Sequence, residues 1–132
     1  MIDFSAIETE LALLVSGGAT FTSTNTGRIR EVVPINQMPS ADVSIGGHRT
    51  THKATRSYEV DVLVVIRSRG VKRNTNANAF KLLVENVCGA LEGEVGTSFD
   101  VLRNITSTIG EDDTGDGHVV RTAAITMIAR KD

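Results

Sequence analysis

The sequence predicts an α+β fold: a mixed, mostly antiparallel β-sheet with two α-helices packed on one side and a long polar β-hairpin arm. Two amphipathic helical segments are separated by segments of strand-like alternation. The chain has 132 residues, enough for one domain and short for two, so residues 1–132 are expected to form a single domain. Aromatic residues make up only 4%, so the core must be built from Val, Ile, Leu and Ala.

The first predicted element is a helix at the N-terminus. Asp3 or Ser5 is the expected N-cap, and Gly17 with Gly18 is the expected end. The apolar residues that recur at helical spacing are Phe4, Ile7, Leu11, Leu14 and Val15.

Short strands are predicted next. Residues 19–31 are rich in Thr, which suits an exposed or edge strand. Residues 29–33 predict a short strand ended by Pro34, and residues 41–45 predict another, closed by the glycines at 46–47.

The hairpin arm and the central strand follow. Residues 48–57 contain no large apolar residue, so they are expected to form the exposed arm of a long hairpin. Its second strand continues through residues 58–68, which are apolar on one face throughout and on both faces in the middle. A strand of this kind lies inside a sheet, with both faces covered there.

A second amphipathic helix is predicted after the polar turn of residues 70–77. Asn76 or Asn78 is the expected cap, and Gly93 is the expected end. Its apolar stripe consists of Phe80, Leu83, Val84, Val87, Cys88 and Leu91.

The C-terminal third predicts two strands joined by an acidic turn. The strands are expected at residues 99–105 and 119–129, with the turn at residues 111–117. The strand–helix–strand passage from residue 58 to residue 105 is the one place where this order permits a parallel pair.

Composition argues against several classes of protein. The net charge of −2 is not that of a nucleic-acid binder, which is normally basic. The single cysteine, Cys88, excludes an internal disulfide and a multi-thiolate metal site, and it indicates a reducing compartment. Acids stand where a secretory signal carries bases, and the longest apolar run there, residues 11–15, is far short of the roughly 20 residues of a membrane span.

Two spacings resemble metal sites. His48 and His52 are four apart, as in a helical metal pair, but the segment around them favours a solvated, extended arm. Residues 112–117 match part of a calcium loop, yet Ala123 stands where its bidentate Glu belongs. An acidic hairpin turn is the better interpretation. Cys88 lies on an apolar stripe and is expected to be a core residue. Since none of these motifs indicates a reactive site, we predict no catalytic residue, metal or cofactor, and no enzymatic activity.

The layout of charge is more informative. Residues 48–73 contain seven bases and two acids, whereas residues 85–116 contain eight acids and one base. One interpretation is internal pairing or ordinary solvated faces. The other is head-to-tail self-association, in which one patch meets a different patch on the next copy and the contacts close into a ring or grow into a filament.

Over its whole length the chain resembles the phage tail terminator family, also called tail-completion or minor tail protein U-like. The resemblance lies in the order of five segments more than in any one motif. They are MIDFSAIETELALLV, VSIGGHRTTHKATRS, YEVDVLVVIRS, NAFKLLVENVCGALEG and EDDTGDGHVVRTAAITMIARK.

The resemblance implies a structural protein that forms a ring, typically of six subunits. The ring would cap the tail tube, stop tube polymerisation and offer an attachment surface to the head or neck connector. The implied partners are other copies of the chain, the tail tube protein and the neck protein, with DNA passing through the lumen without specific binding and no membrane. The implied location is the virion tail or neck, after assembly in the host cytoplasm.

The charged residues expected at the subunit or partner interface form two sets. The basic set is Arg49, Lys53, Arg56, Arg69, Lys72 and Arg73. The acidic set is Glu111, Asp112, Asp113 and Asp116. The alternatives are another head–tail joining, tail tube or baseplate subunit, or a small-ligand-binding α+β domain, which would need a deep pocket with converging polar groups.

Overall fold

The computed structural model describes residues 2–52, 54, 56–71, 74–92 and 98–132. The described residues form an α+β fold, as the sequence predicts. The elements in chain order are helix α1 (Phe4–Gly18), strand β1 (Ser23–Thr26), a 3₁₀ turn (Ile35–Gln37), strand β2 (Ser40–His52), strand β3 (Ser57–Val71), helix α2 (Asn74–Leu91), strand β4 (Val101–Asp113) and strand β5 (His118–Lys131).

The described strands form one sheet in the order β1-β2-β3-β5-β4. The pairs β2–β3, β3–β5 and β4–β5 are antiparallel, and β1–β2 is parallel. The central position expected for β3 is confirmed. The predicted place of the parallel pair is wrong, because β5 lies between β3 and β4 and pairs with both of them.

Both helices pack on one face of the sheet, which confirms the predicted layering. Ile7, Leu11 and Val15 of α1 are fully buried, and Val87 and Leu91 of α2 join the same core. The sheet contributes its alternate residues to this core. On the three middle strands these include Val43, Val60, Val62, Val64, Ile66, Ala123, Ile125 and Met127. We call this side of the sheet the helix face and the other side the outer face.

The two helices approach each other closely at Gly18. The Asp3 side chain caps the start of α1, where it accepts a hydrogen bond from the Ala6 amide at 3.0 Å. At the other end, a Cβ on Gly18 would lie 2.8 Å from the Asn86 carbonyl oxygen and 2.9 Å from the Val87 Cα. This glycine therefore ends the helix and also allows contact with the backbone of α2.

Residues 29–33 are not the strand that was expected, and β1 at Ser23–Thr26 is the strand in this region. Residues 27–37, which we call the crossing segment, are held by hydrogen bonds to Asp42 and Arg67. These two residues alternate with core residues, so they lie on the outer face. Hydrogen bonding to side chains replaces strand pairing here, and it leaves Val33 buried.

Three predicted boundaries are also wrong. The strand expected to close at the glycines 46–47 continues to His52 through an irregularity in register between Ile45 and Gly47. The second helix begins at Asn74, not at Asn76 or Asn78. Strand β4 extends to Asp113 because its residues keep pairing with β5, so the turn is confined to residues 114–117.

Candidate functional site

The turns of the two long hairpins lie at opposite ends of the sheet. In the β3–β5 register Val71 faces His118 at one end and Tyr58 faces Lys131 at the other. The β2–β3 turn therefore extends beyond Tyr58, and the β4–β5 turn extends beyond Val71. Strand β3 has 15 residues, which separates the two ends by about 45 Å.

The β2–β3 end carries part of the predicted basic set. Arg49 lies directly opposite Glu59 in the strand register, and its guanidinium contacts Glu59 at 2.8 Å and Asp61 at 3.2 Å. The hydrogen bonds to Asp61 and Glu59 raise the pKa of Arg49 above its usual value. Arg49 is thus paired within its own hairpin rather than presented as a free arm contact.

Glu59 connects the arm to the far edge of the sheet. It is buried, and besides Arg49 it accepts a hydrogen bond from Arg103 of β4 at 2.6 Å. Two guanidiniums around one buried carboxylate satisfy a charge that burial alone would make costly. This cluster holds β2, β3 and β4 together on the outer face at the β2–β3 end. Its members were not grouped from the sequence, because they lie on three different strands.

Arg56 is exposed in the β2–β3 turn, with a backbone φ of 57°. None of the described residues pairs with its side chain. Three further members of the basic set, Lys53, Lys72 and Arg73, lie outside the residues whose side chains the structure describes.

The β4–β5 end is acidic. Asp116 contacts Arg69 at 3.0 Å, and it accepts hydrogen bonds from the Thr114 hydroxyl and, at 3.1 Å, from the His118 amide. These hydrogen bonds lower the pKa of Asp116 to about 2, and the bond from the Thr114 hydroxyl has the largest effect. Asp113 accepts a hydrogen bond from the Gly115 amide at 2.8 Å.

The other two acids differ in their surroundings. Glu111 pairs with Arg121 at 2.9 Å, and Arg121 is buried on the helix face, where it also donates to the Val71 carbonyl. Asp112 is exposed, and no described residue pairs with its carboxylate. Free acidic charge at this end is therefore smaller than the sequence suggests.

The two charge sets meet within one molecule at one residue, as the interpretation of internal pairing allows. Arg69 belongs to the basic set, yet it lies at the acidic end and neutralises Asp116 within the same molecule. The register of β3 against β5 explains this, because it places the end of β3 beside the start of β5. Among the charges of the two sets that no described residue pairs, Arg56 lies at one end and Asp112 at the other.

The long free edge of the sheet was not predicted from the sequence. Among the described residues, β4 has β5 on one side and no strand on the other. It is 13 residues long, and most of its residues are exposed. The prediction ended this strand near residue 105, because the polar residues that follow have no apolar alternation.

Two open grooves flank β4. One, of about 400 Å³, lies between α2 and β4 on the helix face and includes Val84, Cys88, Ile105 and Ile109. The other, of about 480 Å³, lies on the outer face around Leu63 and Ile128. Both are wide and shallow, unlike the enclosed pocket that a small-ligand-binding domain would use.

His48 and Cys88, considered above for metal binding and thiol chemistry, have surroundings typical of structural residues. His48 lies on the extended arm, and its ring centroid is 5.3 Å from that of Phe4. The described residues contain no group of three or more His, Cys, Asp or Glu placed to hold a metal ion. Burial raises the pKa of the Cys88 thiol, and the side chain packs against the core as expected.

No helix among the described residues is both long and apolar enough to cross a membrane.

No protein-family model matches this chain, and no curated protein matches its sequence. Among solved structures, a chain from "Virion of native gene transfer agent (GTA) particle" is similar to it, with 16% sequence identity and a TM-score of 0.44. The match covers 91% of this chain and 82% of that chain. At this TM-score the similarity carries no argument about function.

Proposed function

We propose that this chain is a structural subunit that assembles into a ring on the end of a phage tail tube. The ring stops polymerisation of the tube and gives the head or neck connector its attachment surface. The observation that supports this most is the placement of the two hairpin turns, which lie about 45 Å apart at opposite ends of one sheet.

Such a placement suits heterologous contact. When the end of one copy meets the opposite end of the next, the contacts form a ring if the rotation between neighbours closes and an open filament if it does not. Arg56 at one end and Asp112 at the other are the described charges of the two sets that no described residue neutralises. Their attraction would favour the head-to-tail orientation and disfavour head-to-head contact, because complementarity of charge sets orientation more than affinity.

The internal pairing of Arg49, Arg69 and Glu111 has a consequence for this assembly. These residues stiffen the two ends instead of reaching for the neighbour, so the contact between copies depends on shape and on few free charges. The ring is expected to have six subunits, as the family resemblance implies.

The test is to locate the chain on its target. Purified tail tubes are incubated with gold-labelled chain and imaged by electron microscopy. Label at one end of each tube supports the proposal, whereas label along the tube would identify a tube subunit. Absence of label from the tubes would contradict both, and heat-unfolded chain under the same conditions controls for non-specific adhesion.

A further inference from the structure

The exposed edge strand contains a palindrome. Residues 105–109 read Ile-Thr-Ser-Thr-Ile, with Ser107 at the centre. This segment lies in the middle of β4, whose other side is paired with β5 in the regular register from Thr106 to Asp113. Long edge strands are usually protected by prolines, short length, bulges, charges or a covering element, because their free backbone groups attract other strands. In β4 the bulge between Arg103 and Thr106 and the acids at 111–113 lie at the two ends of the strand, and the centre of the palindrome carries neither.

We infer that β4 pairs in antiparallel fashion with β4 of a second copy of this chain, about a two-fold axis through Ser107. In this register Ile105 of each copy faces Ile109 of the other. Thr106 likewise faces Thr108, and Ser107 faces itself. An isologous contact demands that a surface match its own rotated copy, and a palindromic strand does so residue by residue.

The faces of the strand agree with this register. Ile105, Ser107 and Ile109 line the groove on the helix face, and Thr106 and Thr108 alternate with them toward the outer face. Each proposed pair therefore joins residues on the same side of the extended sheet. Cross-strand pairs of β-branched residues stabilise a sheet, and four of them form across this axis.

The groove beside β4 accommodates the apolar part of the contact. Val84 and Cys88 of α2 lie beside Ile105 and Ile109 in a space of about 400 Å³. Ile109 is 41% exposed in the single chain, so it gains the most from being covered. The isoleucines of the second copy would enter this groove from the open side.

Charge disfavours the parallel orientation. Arg103 precedes the palindrome, and Glu111, Asp112 and Asp113 follow it. Antiparallel pairing about Ser107 places the acidic segment of each strand away from the acidic segment of the other. Parallel, in-register pairing would place three acids beside three acids, which is unfavourable for residues directly opposite each other.

This contact does not rest on the proposed function. It uses the long edge of the sheet, whereas the ring contact uses the two ends. It applies to the free chain in solution, whether or not that chain caps a tube.

Disulfide cross-linking tests the register. In a Cys88→Ala background, Ser107→Cys places two thiols at the axis, and mild oxidation is expected to yield a species of twice 14.1 kDa. Gly110→Cys is the matched control, because it lies on the same strand with open space around a new Cβ. In the proposed register position 110 of one copy lies about 20 Å from position 110 of the other, so thiols there are expected to stay unlinked.

A second pair of variants tests the contact without cysteine. Ser107→Lys places two ammonium groups opposite each other, and sedimentation equilibrium is expected to show the dissociation constant raised at least tenfold. Thr24→Lys on β1, the opposite edge, leaves it unchanged. Equal cross-linking at positions 107 and 110, no cross-linking at 107, or a monomeric parent chain at high concentration would each overturn the inference. Circular dichroism confirms that each variant is folded.

Discussion

Arg30 binds the carboxylate of Asp42 through two separate groups. Its backbone amide donates to Oδ2 at 3.1 Å, and its side-chain Nε donates to Oδ1 at 2.8 Å. Arg67 of β3 contacts the same carboxylate at 3.0 Å and also donates to the Arg30 carbonyl. Asp42 is fully buried, so this cluster fastens the crossing segment to the outer face through a charge that is shielded from water.

Asp42→Asn is expected to lower the free energy of unfolding by about 3–5 kcal/mol, because it leaves two mostly buried guanidiniums without a counter-charge. Urea denaturation measures the loss. The matched control is Asp61→Asn, whose side chain is 55% exposed and pairs with the half-exposed Arg49, and this change is expected to cost less than about 1 kcal/mol. Equal effects of the two substitutions would show that the buried cluster does not hold the crossing segment.

The Asp42 cluster shows where sequence reasoning stops. Alternation of apolar and polar residues predicts the strand and assigns Asp42 to its solvent side. The crossing segment covers that side. The residues that bind Asp42 lie far from it in the sequence, Arg30 by 12 positions and Arg67 by 25. No local pattern reports such a contact, because it depends on the path of an irregular segment.

The helices and the central strand were predictable because their periodicity reflects burial. The length of β4 was not, since an exposed edge strand has no apolar alternation to show. The charge sets were visible in the sequence, but the register that pairs Arg69 with Asp116 depends on how two hairpins align in space. The predicted interface residues therefore remain a prediction, and part of their charge is paired within the molecule.

Gly18→Ala is expected to destabilise the protein by about 1–3 kcal/mol, because the new methyl group would press on the backbone of α2 and force the helices apart. Gly17→Ala is the matched control. Its Cβ has no atom within 4 Å, so added helix propensity is expected to leave the protein unchanged or stabilise it by up to about 1 kcal/mol. Thermal unfolding of both variants checks the difference. A Gly18→Ala variant as stable as the parent would contradict the close approach.

Asp116 is expected to titrate near pH 2, because the Thr114 hydroxyl and the His118 amide both donate to its ionised form. A depressed folded pKa stabilises the native state above the unfolded value near 3.9, and this contribution is lost as the pH falls toward 2. Carboxyl NMR titration measures the midpoint. Thr114→Val is expected to raise it clearly and Arg69→Ala to raise it less, since the hydroxyl is the larger cause. A midpoint near 3.9 in the parent chain would contradict the hydrogen-bonded turn.

Reversing the free charges tests the contact between opposite ends. Arg56→Glu alone and Asp112→Arg alone are each expected to weaken assembly, and combining them in one chain is expected to restore it, because the attraction is re-formed with opposite sign. Labelled chain bound per tube end measures the effect. Arg28→Glu, an exposed arginine away from both ends, is the control for net charge. Failure of the double variant to recover would place the contact elsewhere.

The most direct measurement of the proposed role is the growth of tail tubes. Purified tubes are saturated with the chain, fresh tube subunit is added, and tube lengths are compared by electron microscopy with those of untreated tubes. Capping predicts that the treated tubes keep their starting length while the untreated ones extend. Extension of both populations to the same length, with the chain bound, would contradict a ring that ends the tube.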